Sequence, residues 1–208
     1  MPDTMVRPAI RATRNTTSGR RDGAAVTRLV HAAARGEHAA WDALVDEFGN
    51  LVWAVTRAHR LSDADAADVA GATWLALVEN LGRLRDVERV GAWLATTARR
   101  ESLRALRRAK RQVPTGDELA SEPADTPDVS ADLLTEERDA ALWRAFDRLP
   151  ERDQALLRLL VADPQPSYQE ISAALQMPIG GIGPTRARSL ERLRRELERD
   201  GLVAANAF

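Results

Sequence analysis

The sequence contains no cysteine among its 208 residues. Disulfide bonds and thiolate metal sites are therefore excluded, and a reducing compartment is compatible with the composition. Aromatic residues are only 4% of the chain, and no run of about 18 apolar residues predicts a membrane-spanning helix. Residues 1–23 lack the apolar segment of a secretory signal, so we expect a cytoplasmic protein.

Residue clusters that carry chemistry are also scarce. The three histidines, His31, His38 and His59, do not have the spacing of a metal-binding motif. The glycine-rich stretch 180–183 follows no predicted strand and has no phosphate-binding lysine after it, which argues against a nucleotide site. We therefore expect no metal, no cofactor and no catalytic activity.

Charged residues are plentiful, and they are unevenly distributed along the chain. There are 30 basic and 31 acidic residues, so the net charge of −1 conceals strong segregation. Residues 1–23 carry a net charge of +3 and show no hydrophobic period, which predicts a disordered basic tail. Residues 112–132 hold three prolines and six carboxylates without a basic residue, which predicts a flexible acidic linker.

Apolar residues recur with the helical period on both sides of this linker. We predict an all-α protein with two small helical domains, residues 24–111 and 133–200, and a short tail at 201–208. Ser62 precedes an acidic turn and predicts a helix start, and Gly82 predicts the end of that helix. Most of the five tryptophans occupy apolar helical positions, so we expect them to anchor the core.

The segment SYQEISAALQMPIGGIGPTRARSLERLRREL, residues 167–197, has the pattern of a helix-turn-helix. Ser167 and Glu170 form a capping box at the start of a short first helix. The second helix is predicted to begin at Ile182, which puts Pro184 in its first turn. The side chains that this helix would present to base edges are Thr185, Arg186, Arg188 and Arg192.

The alternative interpretation of this segment is an ordinary helical hairpin with a solvated arginine face. The capping box, the compact turn and the basic second helix occur together, and their coincidence favours DNA binding.

A second basic surface lies at the end of the first predicted domain, in ARRESLRALRRAKR. Seven basic residues stand against Glu101 alone, a net charge of +6, and Arg100, Arg104 and Arg111 fall on one helical face. A solvated face is the alternative, but such a face repels itself, whereas a polyanion would gain affinity by counterion release. Two basic elements flanking an acidic linker indicate contact with two separate DNA segments.

Taken together, these segments resemble the extracytoplasmic-function (ECF) subfamily of sigma-70-type sigma factors of bacterial RNA polymerase, over about residues 25–200. The segment DADAADVAGATWLALVENLGRL looks like the family's helix that binds the clamp helices of the polymerase β′ subunit. It departs from the family at Gly71 and Ala72, where Gln-Glu is frequent. The resemblance implies that core polymerase is bound by Asp65, Asp68, Val69, Ala72 and Thr73.

The segment RDVERVGAWLATTARRESLRALRR is similar to the family's loop and helix that melt and read the minus-ten promoter element. Trp93 and Leu94 match a Trp-Leu pair of the family, whereas Arg100 and Arg104 replace its common Asn and Asp. The resemblance implies minus-ten contacts by Arg83, Asp86, Arg89, Trp93, Thr96, Arg99, Arg100 and Arg104.

The segment LPERDQALLRLL, residues 149–160, matches the pattern that opens the family's second domain. Its helix-turn-helix would read the minus-thirty-five element and contact the polymerase β flap. The resemblance implies a protein without catalysis that binds core polymerase, recognises promoter DNA and helps to melt it. It leaves an anti-sigma factor open as a further partner.

Two other functions compete with this one. A stand-alone helix-turn-helix regulator that binds a palindrome as a dimer would leave the helix at residues 63–81 without a role. An all-α enzyme acting on nucleic acid would need a metal cluster or a nucleophile, and the sequence shows neither.

Overall fold

The computed structural model describes residues 22–112 and 133–201, and all regular structure in those residues is helical. The all-α prediction is therefore confirmed. The predicted basic tail up to residue 21, the linker residues 113–132 and the tail from residue 202 lie outside the described residues. The helices are α1 (Gly23–Ala34), α2 (His38–Ala58), α3 (Asp63–Asn80), α4 (Val90–Gln112), α5 (Leu133–Asp147), α6 (Glu151–Val161), α7 (Tyr168–Leu175) and α8 (Ile179–Arg199).

Several helix starts follow directly from local sequence signals. The Ser62 hydroxyl accepts a hydrogen bond from the backbone N–H of Asp65 at 3.1 Å and caps α3. The predicted capping box of α7 is present, because the Glu170 carboxylate in turn accepts the Ser167 backbone N–H at 2.7 Å. Each cap satisfies backbone donors that the first turn of a helix leaves without partners.

The second helix of the predicted helix-turn-helix begins at Ile179, so the prediction of a start at Ile182 is wrong by three residues. Gln176 adopts the left-handed conformation, with φ of 49°, and turns the chain sharply after α7. Pro178 then directly precedes α8. Pro184 consequently lies in the second turn of α8, where its missing N–H does remove one helical hydrogen bond.

The loop between α3 and α4 is more structured than the sequence predicts. Helix α3 ends at Asn80, and two three-residue 3-10 turns, Leu81–Arg83 and Val87–Arg89, lead into α4. The start of α4 at Val90 agrees with the prediction. These turns hold the loop close to α1, which they contact.

The first half of the structure (residues 22–112) and the second half (residues 133–201) share one apolar core. Helix α6 packs on α2, and α7 packs on α4. The apolar cluster is continuous from one half to the other, and its fully buried members include Leu44, Leu94, Leu156 and Ile171. We call the contact of α6 and α7 with α2 and α4 the seam. Residue spacing alone predicts two helical halves but not how they pack.

Small residues on α4 allow α7 to approach closely at the seam. Gly91, Ala95 and Ala98 are all buried. A β-carbon at position 91 would overlap Oε1 of Glu170 and lie 2.9 Å from Cε1 of Phe48. Glycine at position 91 is therefore required by the close packing of three helices.

Two tryptophans are not core anchors, contrary to the prediction. Trp53 on α2 is 42% exposed and Trp143 on α5 is 58% exposed. Both line a groove between the two halves. Helix α2 carries more apolar residues than one buried face can accommodate, so some of them must face outward. In the described ranges, no helix combines the length and apolar character needed to cross a membrane.

A histidine lies beside the seam. His59 follows the last residue of α2, and its Nε2 is buried without a hydrogen-bond partner among the described residues. Burial lowers the pKa of His59 below its usual value of 6.5, and the positive charge of Arg99 on α4 lowers it further. Glu151 on α6 opposes this shift.

We expect the free energy of unfolding to fall between pH 7.5 and pH 5.5. The unfolded chain takes up a proton at His59 near pH 6.5, whereas the folded chain does so only at lower pH. The stability that neutral His59 contributes is thus present above about pH 6.5 and is lost below it. Urea denaturation at both pH values tests this, with the exposed His38→Gln as control. The assignment is wrong if His59→Gln leaves the pH dependence as steep as in the control.

Candidate nucleic-acid and partner interfaces

Helix α3 presents some of the predicted polymerase-binding residues to solvent and buries others. Asp65, Asp68 and Ala72 are exposed. Val69 and Thr73 are buried, and the Thr73 hydroxyl donates to the Val69 carbonyl at 2.8 Å. Their placement does not fit the predicted direct contact with polymerase, because α3 turns these two side chains inward, Val69 into a small apolar cluster shared with α4.

The exposed face of α3 includes two large apolar side chains that the sequence did not single out. Leu75 is 60% exposed and Val78 is 57% exposed. Both lie within helical reach of Asp68 and Ala72, at spacings of three, six, seven and ten residues. The signal was the unbroken apolar run at residues 74–78, which is too long for one face of a helix to bury.

The predicted minus-ten loop carries charged side chains on its surface. Arg83, Asp86 and Arg89 are exposed, and Nε of Arg89 lies 3.1 Å from a carboxylate oxygen of Asp86. Arg89 also lines a groove whose other wall is the start of α7, with Ser167 and Tyr168. The loop and the helix-turn-helix are therefore neighbours in this structure.

Along α4, the predicted minus-ten residues differ in their availability. Arg100 and Arg104 are exposed, and Arg104 lies 2.5 Å from Glu101 in an ion pair. The Thr96 hydroxyl is bonded to its own helix, since it donates to the Ala92 carbonyl at 2.9 Å. Half-buried residues complete the set, and they are Trp93, which packs against the core, and Arg99, beside His59.

The first turns of α8 separate the four predicted minus-thirty-five residues by their partners. Arg188 folds back and donates to the Pro184 carbonyl and to the hydroxyl of half-buried Thr185, both at 3.3 Å. Arg192 forms an ion pair with Asp153 on α6, whose side chain is only 5% exposed. Arg186 is exposed and pairs with no described residue, so it is the most available of the four for an incoming base or phosphate.

Comparison with known proteins agrees with this arrangement. Residues 44–112, which cover most of α2 and all of α3 and α4, match the Sigma-70 region 2 family. The ECF RNA polymerase sigma factor RpoE of Cereibacter sphaeroides is 30% identical over 139 residues, which cover 65% of this chain and 75% of that protein. The structure of CnrH in complex with the cytosolic domain of CnrY shares the fold. Its TM-score is 0.58 at 20% identity, over 86% of this chain and 99% of CnrH.

The chain is thus a sigma factor that acts in transcription initiation. It belongs to the ECF family of RNA polymerase sigma factors.

The ion pair of Arg192 predicts a stability effect that separates it from Arg186. We expect Arg192→Ala to lower the free energy of unfolding by about 1–3 kcal/mol, because it leaves the buried Asp153 carboxylate without its cation. Exposed Arg186→Ala should change it by less than about 0.5 kcal/mol. Chemical denaturation of both variants checks this, and equal effects would contradict the structural role of Arg192.

Proposed function

We propose that this sigma factor docks on core RNA polymerase through the exposed face of α3, around Asp68, Leu75 and Val78. The observation that carries the proposal is the exposure of two large apolar side chains beside carboxylates on a well-formed helix. Such a face loses free energy in water and gains it when a partner covers the apolar residues. The β′ clamp helices are the partner that the family resemblance supports.

The second part of the proposal concerns the minus-ten element. The end of α4 carries seven basic residues with Glu101 as the nearby acid, which suits the phosphates of a DNA strand. The loop before α4 supplies Arg83 and Arg89, and Trp93 offers an aromatic ring beside it. These groups suit the capture of an unstacked base during melting, since aromatic rings and arginine planes stack on exposed bases.

The third part assigns minus-thirty-five recognition to the start of α8. Arg186 extends into solvent near the helix start, where a recognition helix meets base edges. Arg188 and Thr185, bonded to one another, support the same surface. The turn side of this half would lie on the β flap.

Further partners and properties follow from the same proposal. The CnrH structure was solved with the cytosolic domain of CnrY, which supports an anti-sigma factor as a partner of this chain too. We place the protein in the cytoplasm with RNA polymerase, without a cofactor or a catalytic activity of its own.

The decisive experiment is run-off transcription with purified core polymerase on a genomic promoter library. Specific initiation that depends on this chain supports the proposal and identifies the promoter motif. Absence of initiation at every promoter, together with a tight footprint at symmetric half-sites without polymerase, would support the dimeric regulator instead.

Charge reversal at Asp68 tests the α3 surface. We expect Asp68→Lys to weaken core-polymerase binding about tenfold or more, because it puts a cation where the interface presents a carboxylate. Asp42→Lys, the same change at an exposed position of α2, is the matched control. Equal retention of both variants on immobilised core polymerase would remove Asp68 from the interface.

Truncation of Arg186 tests the α8 surface. We expect Arg186→Ala to weaken recognition of the upstream element by on the order of 1–3 kcal/mol. Arg195→Ala is the control, since Arg195 is exposed further along α8 and lies 3.5 Å from Glu191. Run-off transcription from promoters with an intact and a scrambled upstream element measures the difference. An Arg186→Ala holoenzyme that discriminates them as the control does would refute the assignment.

A further inference from the structure

The seam places the helix-turn-helix directly against the helix proposed to hold the minus-ten element. Helix α7 lies along α4, and Glu170 is in contact with the site of Gly91. The start of α7 also forms one wall of the groove that Glu88 and Arg89 line from the other side. A DNA strand that approached the minus-ten loop from this side would meet α7 first.

The compact arrangement is also too small for the task proposed above. A globular body of this many residues is about 40 Å across. Elements centred near positions minus-ten and minus-thirty-five are about 25 base pairs apart, which is about 85 Å along B-form DNA. One body of that size cannot place α4 and α8 on both elements at once.

We propose that this structure is a closed, self-inhibited form, in which α7 on α4 and α6 on α2 keep the two halves together until a partner separates them. This proposal rests on the assignment of α4 and α8 to separate promoter elements. The chain in this form carries its own restraint, which needs no second protein.

A charged rim at the edge of the seam offers a way to weaken it without altering the apolar core. Arg60, at the end of α2, lies 3.7 Å from Asp147, the last residue of α5. Arg57 and Arg158 are close enough to act on the same site, since burial first and then the charges of Arg60 and Arg57 lower the pKa of Arg158, while Asp147 opposes this. Asp147 is thus a carboxylate among three guanidinium groups.

Charge reversal at Asp147 should therefore open the closed form. Asp147→Arg removes the ion pair with Arg60 and adds a fourth cation beside it, and its side chain is half exposed, so the core is left intact. We expect the ratio of open to closed molecules to rise about three- to tenfold. The double variant Arg60→Asp/Asp147→Arg restores an opposite-charge pair and should return the ratio towards that of the native chain. Asp139→Arg, the same change elsewhere on α5, is the matched control.

The absence of cysteine makes the measurement direct. Cysteines introduced at exposed Asp46 on α2 and exposed Arg152 on α6 accept a donor and an acceptor dye without competing sites. In the full-length free chain we expect one high-transfer population, which decreases in Asp147→Arg and returns in the double variant. Addition of core polymerase should convert the native chain to low transfer. A free chain that is already in low transfer, or an Asp147→Arg variant that matches Asp139→Arg, would overturn the proposal.

A second variant acts on the seam itself. Gly91→Leu would force α7 away from α4, because even a β-carbon at position 91 overlaps Glu170. Its contact with Phe48 could also disturb the first half, so a thermal melt must first show that the helices remain folded. A folded Gly91→Leu chain that stays in high transfer would also overturn the proposal.

The dye measurement separates this proposal from the polymerase proposal. If closure limits docking, Asp147→Arg binds core polymerase more tightly, by up to the factor by which its open fraction rises. If the chain binds no polymerase at all, the proposed function fails, yet the transfer values of the free variants still decide whether the closed form exists.

Discussion

The arrangement of this protein depends on the apolar contact between α7 and α4, which α6 on α2 extends. The second half has a small apolar cluster of its own, formed by Phe146, Leu149 and Leu157. Its larger apolar residues, Leu156 and Ile171 among them, belong instead to a core that continues into the first half. Burial of apolar area stabilises by about 25 cal/mol for each Å² removed from water, so this shared core contributes strongly to the compact arrangement. The position of every proposed binding surface follows from it.

Local bonding determines which arginines remain available within that frame. The basic residues of α8 look equivalent in the sequence, but Arg192 is bound to Asp153 and Arg188 to its own helix. Arg148 likewise holds the end of α8 through Glu196 and Asp200, at 2.9 and 2.7 Å. Structural ion pairs therefore occupy much of the positive charge of the second half. Recognition is left to the few cations that have no internal partner.

Features of the fold that depend on neighbouring residues were predictable from the sequence, and features that depend on distant residues were not. The cap at Ser62, the capping box at Ser167 and the helix α6 each follow from a few adjacent residues. The start of α8 was misjudged because Pro178 and the glycines after it resemble a longer turn. The contact of Gly91 with Glu170 joins residues far apart in the chain, and no local pattern marks it. Of the candidate site, charge and spacing identified the surfaces, whereas the burial of Val69 and Thr73 became visible only in the folded helices.

The shared apolar core also has a consequence for how the chain behaves in solution. Separation of the halves would expose side chains such as Leu156 and Ile171 over a continuous area. Without a covering protein, an area of this kind favours self-association and lowers solubility. An opened chain is therefore suited to existing only briefly in free form, and its amount in a cell would be limited by aggregation and proteolysis as well as by synthesis.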